Sequence, residues 1–132
     1  MSGTNWLRVG AVCGALSVII GAFGAHGLKE HMSARSLEVY ETGAKYQMYH
    51  ALALLAVGLL ALQGRSGTML NLAGWSFVVG ILLFSGSLYA LALTGITKLG
   101  AITPFGGIGL IIGWFALAIA AGSSGRTTGV EP

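Results

Sequence analysis

The residues with most chemical reach fall in one stretch and its approach: His26 and Lys29, then Tyr40, Glu41, Lys45, Tyr46, Tyr49 and His50. His50 stands out because the residues after it are apolar as far as Leu62. An imidazole inside such a run is costly unless it is hydrogen-bonded, so a partner is expected. Three kinds of chemistry suit it: a proton relay, a haem or metal ligand, or a contact to a quinone. The plainer reading, a histidine bonded to a neighbouring helix near the headgroups, outweighs all three. Glu41 lies close to the membrane entry, but it precedes Lys45 by one helical turn, in the order that favours an ion pair.

Other catalytic arrangements are missing from the pattern. His26, His31 and His50 lack the tight spacing of a metal site. The apolar runs hold no paired carboxylates, and no Ser/His/Asp or Cys/His constellation has a familiar spacing. Cys13 is the single cysteine and lies in an apolar run, which fits a small packing residue. Neither a phosphate loop nor a dinucleotide fingerprint is present. No catalytic residue, metal or cofactor is therefore assigned, and the chain is expected to be non-enzymatic.

The elements that position these groups follow from hydropathy. Hydrophobic residues make up 55% of the 132 residues and charged residues 8%, far below the roughly 25% of soluble domains. The mean hydropathy is +0.80. Four stretches come near the ~20 apolar residues that span a bilayer: about Val9 to Ala25, Tyr46 to Leu62, Leu72 to Leu93 and Pro104 to Ala121. Trp6 and Arg8 precede the first as a belt aromatic and a headgroup-level cation would. The first run exceeds a signal-peptide core, so a retained helix is the stronger reading. Thr103 and Pro104 fit the N-cap and first position of the last helix. Only His26 to Lys45 forms a long polar connection. Within it Leu37, Tyr40, Ala44, Met48 and Ala51 share a face, which predicts an amphipathic helix feeding into the second span, capped by Ser33 or Ser36. The expected fold is all-α: a polytopic four-transmembrane-helix bundle over residues 1–122, followed by a polar, disordered tail at 123–132.

The 22 glycines are the second compositional feature. Gly10, Gly14 and Gly21 project onto one stripe of the first span with Ser17, Gly24 and Ala25. Gly80 lies on a stripe of the third with Ala73, Ser76, Ser87 and Thr94. Gly106, Gly109 and Gly113 lie on a stripe of the fourth with Ala116 and Ala120. Lipid gives no hydrophobic force between helices, so contact depends on backbones approaching across small residues. These stripes are expected to pack within the bundle; the alternative is that one faces a second copy or another membrane protein. The net charge of +3 comes from scattered cations and forms no basic stripe, so nucleic acid is not an expected partner. Lys and Arg divide almost evenly between the two loop sides, leaning weakly towards both termini outside the cytoplasm.

The run Gly21-Ala-Phe-Gly-Ala-His-Gly-Leu-Lys29 and the run Tyr40-Glu-Thr-Gly-Ala-Lys-Tyr-Gln-Met-Tyr-His50 resemble the small membrane family called domain of unknown function 423, which includes transmembrane protein 256-like proteins. Gly80-Ile-Leu-Leu-Phe-Ser-Gly-Ser-Leu-Tyr89 and Leu99-Gly-Ala-Ile-Thr-Pro-Phe-Gly-Gly107 are similar to it as well. The resemblance implies a multi-spanning protein integral to the membrane, here the bacterial inner membrane, and no agreed activity. The lipid bilayer is then the first partner, with other membrane proteins or a second copy next. The leading functional expectation is an accessory subunit, scaffold or assembly factor. The alternatives are a small oligomeric transporter or channel, and a protein binding haem, quinone or lipid near His26 and His50.

Overall fold

The computed structural model describes residues 1–123. The tail expected to be disordered lies, from residue 124 onward, outside the described residues. Four helices carry the fold: α1 (Gly3–Phe23), α2 (Ala34–Leu62), α3 (Thr68–Thr94) and α4 (Thr103–Gly122). All four are long and apolar enough to cross a membrane. The shortest, α4, has 20 residues and reaches about 30 Å, the thickness of a bilayer core. A π-helical turn, Gly24–Leu28, closes α1, and a 3₁₀ turn, Thr97–Ala101, leads into α4.

The amphipathic segment and the second span are one unbroken helix of 29 residues. Ser33 is its cap, its hydroxyl accepting the Ser36 N–H at 3.1 Å. At 1.5 Å per residue α2 is about 44 Å long, so its first turns project beyond the hydrocarbon. α3 ends where Gly95 takes up φ +72° and returns its N–H to the Leu91 carbonyl; glycine accepts that left-handed conformation without steric cost.

Two expectations about helix starts are corrected. α1 begins at Gly3 rather than near Val9, because the Ser2 hydroxyl caps it through the Asn5 N–H. Trp6 is thereby inside the bundle, fully buried rather than in an aromatic belt. Thr103 does not cap α4. The preceding 3₁₀ turn runs straight into the helix, and the Ile102 carbonyl accepts the Phe105 and Gly106 N–H groups. The Thr103 hydroxyl is left free to meet Ser87 of α3 at 2.6 Å.

The helices pack in chain order, α1 on α2, α2 on α3 and α3 on α4, with no comparable seam between α1 and α4. Glycine makes these seams. At Gly10 a β-carbon would sit 2.9 Å from the Ala51 carbonyl oxygen, and Gly3 and Gly58 press backbone on backbone in the same way. Across α3 and α4, a β-carbon at Gly80 would meet the Leu110 amide at 3.0 Å, one at Gly113 the Phe77 ring at 2.7 Å, and one at Gly106 would overlap the Phe84 backbone. Gly14 and Gly109 sit in ordinary contact, at 3.9 Å from Ala51 and 3.6 Å from Gly80. The α1 stripe is shorter than expected: Gly21 faces open space and Ala25 is exposed. At that level the contact comes from the Tyr40 side chain, which lies on Gly24 and donates to the Ile20 carbonyl at 2.6 Å.

Trp6, Leu54, Val57 and Phe77 fill the interior, while Val12, Ile19, Leu82, Phe105 and Phe115 point outward. Such an apolar exterior suits lipid and would aggregate in water.

Gly106 and Gly107 give a paired test of the seam. Gly106→Ala forces a methyl into the Phe84 backbone and is expected to cost about 1–3 kcal/mol of stability. Gly107→Ala meets only ordinary contact with the Phe84 ring at 3.7 Å and should be neutral or slightly stabilising. Thermal unfolding of the two variants in the same detergent, followed by circular dichroism, distinguishes them; equal melting points would contradict the backbone-contact account.

Candidate functional site

Two buried polar side chains of α2, Gln47 and His50, reach the other three helices between them. Gln47 is buried, and its amide spans two seams. Its Nε2 donates to the Cys13 carbonyl of α1 at 2.9 Å, and its Oε1 accepts the Tyr89 hydroxyl of α3 at 2.7 Å. Around it, Ser17 of α1 donates to the Ala44 carbonyl at 2.6 Å and Ser85 of α3 donates to the Gly43 carbonyl at 2.7 Å. Gly43 is required here because the Tyr89 ring occupies the place of its β-carbon.

One turn deeper lies His50, about 7 Å along the axis from Lys45. Its ring is held at both nitrogens. Nε2 lies 3.0 Å from Trp114 Nε1 of α4, and Nδ1 lies 2.5 Å from the Tyr46 carbonyl. An indole N–H can only donate, so Nε2 is the acceptor and Nδ1 carries the proton. The contacts thus specify one neutral tautomer.

Aromatic rings enclose this imidazole. Tyr46 stacks on it at 6.1 Å and 19°, Phe77 lies at 5.7 Å and Trp114 at 5.8 Å. Tyr46 also meets Phe84 of α3 at 4.8 Å. α2 and α4 touch little, and between them a cleft of about 380 Å³ opens sideways. Tyr46, His50, Phe84, Gly107, Ile111 and Trp114 form its walls. A second cleft of about 250 Å³, beside Arg35 and Thr97, lies where α2 begins and α3 ends.

Of the residues singled out from sequence, the structure brings Tyr46 and His50 together. Tyr49 stands beside Tyr46, at 5.5 Å, with its other side exposed. Tyr40 joins a separate pair with Tyr89, also at 5.5 Å. Glu41 and Lys45 lie on the exposed face of α2, and His26 and Lys29 are exposed at the end of α1. Gly24, two residues before His26, packs on Tyr40, which is about 15 Å along α2 from His50. His26 therefore belongs to the level of Tyr40, and His50 to a deeper level of α2. Among the described residues no three His, Cys, Asp or Glu side chains converge as a metal site would require.

Sequence reading missed Trp114, Phe77, Phe84 and Tyr89 as partners of this region. Phe77 and Trp114 looked like ordinary apolar span residues, and nothing in their spacing ties them to a histidine on another helix. Arg65 likewise carries no local mark of a partner elsewhere in the chain. From the loop between α2 and α3 its guanidinium donates to the Ala121 and Ser123 carbonyls at 2.9 Å each, closing the end of α4.

A family model described as "Protein of unknown function (DUF423)" matches residues 20–107. The chain belongs to this family. Its relatives include the UPF0382 membrane protein SSP2132 of Staphylococcus saprophyticus, 50% identical over 86% of this chain and 93% of the relative. The UPF0382 membrane protein YwdK of Bacillus subtilis is 48% identical over 88% and 94%. A UPF0382 membrane protein of Haemophilus influenzae is 45% identical over 86% and 90%. No solved structure matches the chain. With four apolar helices and relatives named as membrane proteins, the DUF423 chain is an integral membrane protein, all-helical as expected from its sequence.

Two measurements check the geometry of this DUF423 bundle. ¹⁵N NMR of histidine-labelled protein should show His50 Nδ1 as the protonated nitrogen and Nε2 as the bare one; the opposite tautomer would exclude the Trp114 contact. Gln47→Leu strands the Tyr89 hydroxyl and should cost about 1–3 kcal/mol. Adding Tyr89→Phe should recover part of that loss. Strictly additive losses in the cycle would mean that the two side chains do not interact.

Proposed function

We propose that this DUF423 protein is a non-enzymatic accessory or scaffold subunit of a larger membrane assembly. The observation that carries the reading is the use made of its interior polar groups. Among the described residues, every buried side-chain nitrogen and oxygen has a partner within the chain. Gln47, Ser17, Ser85, Ser87 and His50 are all spent on joining one helix to another or to its own backbone.

A transporter or channel would use such groups differently. A conducting path needs polar groups that face a shared passage and can exchange partners with the solute. Here the space along the axis is taken up by Trp6, Leu54, Val57 and Phe77. The connections between helices are also short, and α2 projects beyond the bilayer as one stiff rod rather than as a separate domain. These features favour a compact body that serves by association.

The test is native mass spectrometry on the protein extracted from its own membrane with surrounding lipid. A stable mass containing other polypeptides in fixed ratio is the expected result. A lone chain at every extraction condition, together with solute flux in proteoliposomes, would overturn the proposal in favour of transport.

A further inference from the structure

The cleft between α2 and α4 has a feature that packing does not explain. Gly106 must be glycine, because any side chain would strike the α3 backbone. Its neighbour Gly107 has no such need: a β-carbon there would rest at ordinary contact distance from the Phe84 ring. Glycine in a helix is worth having when a backbone must come close, and at Gly107 none does. What the missing side chain does is leave the cleft open.

The cleft opens towards the bilayer. Tyr46 is 39% exposed, Ile111 55% and Trp114 47%, and all three are on the outer rim. A ligand would therefore enter from the lipid phase. Four of the lining side chains are flat and conjugated: Tyr46, His50, Phe84 and Trp114. Aromatic pairs of this kind favour a further ring in stacked or edge contact. Both nitrogens of His50 and the Trp114 N–H are already engaged. The Tyr46 hydroxyl has no hydrogen bond to the described residues, so it remains available as a donor. At about 380 Å³ the space falls within the range of small-molecule sites, which are mostly apolar with a few polar groups.

We propose that this cleft binds the ring of a membrane-soluble quinone, with its tail left in the lipid. A quinone supplies both features the walls lack: a flat conjugated ring to stack between aromatics, and a carbonyl oxygen at its edge to accept from Tyr46. A saturated acyl chain supplies neither. The site as drawn binds and orients; no electron transfer is ascribed to it.

The full chain, reconstituted in phosphatidylcholine nanodiscs, is titrated with a benzoquinone carrying a decyl tail while tryptophan fluorescence is followed. The expected result is a saturable quenching component above the linear collisional one. Trp114→Phe should remove that component, and Gly107→Leu should abolish it by filling the cleft. Tyr46→Phe should weaken it roughly fivefold, the loss of one hydrogen bond. Ile111→Trp, on the exposed rim, blocks the same space if Gly107→Leu does not fold, and circular dichroism melts confirm that the variants are intact. Absence of a saturable component in the unaltered protein would leave the cleft to lipid chains and overturn the proposal. So would saturable quenching that survives unchanged in a folded blocking variant.

Discussion

Within a bilayer no water is at hand to satisfy a stray polar group, so each polar side chain that enters must find its partner in another part of the same protein. The Gln47 amide is where that constraint acts most strongly. One end is fixed to the backbone of α1 and the other to a tyrosine of α3, so three helices share one level. A displacement of any of them along its axis would break one of these bonds. The serines at Ser17 and Ser85 repeat the arrangement nearby, each donating to a carbonyl of α2. Apolar packing alone tolerates sliding; these bonds give the bundle its register. The imidazole of His50 extends the same device to α4, so that α2 is bonded to all three other helices.

Close approach is the second requirement, and it sets where glycine is found. Small residues bring α1 against α2 and α4 against α3, while the larger rings fill the spaces between: Trp6 over Gly74, Tyr89 over Gly43, Phe77 against Gly113. Hydrogen bonding and ring-on-glycine packing thus act on the same seams. The aromatic cleft lies where this closure is least complete, between α2 and α4, whose contact depends largely on the single histidine–indole bond.

Much of this was legible in the sequence, for physical reasons that differ by element. The four spans follow from composition over windows of about 20 residues, and the α4 stripe of Gly106, Gly109 and Gly113 follows from helical periodicity alone. The need of His50 for a partner was legible, because a lone imidazole in an apolar run is costly. Its partner was not, since Trp114 lies 64 residues away and carries no local mark. Trp6 was misplaced because a tryptophan near a helix end suits both a belt and a core, and only the glycine at position 74 of α3 makes room for the second. Thr103 misled in a similar way: its position suits a cap, but the turn before it had already satisfied the helix start.

Arg65 closes the structure in a different sense. The loop that bears it is synthesised before α3 and α4, yet the carbonyls it binds belong to the last turn of α4 and to Ser123. Its guanidinium can meet these acceptors only once α4 has been made. An early hairpin of α1 and α2 can form, but its loop is fastened only by the end of the final span. The end of α4, rather than the hairpin itself, is what sets this latch.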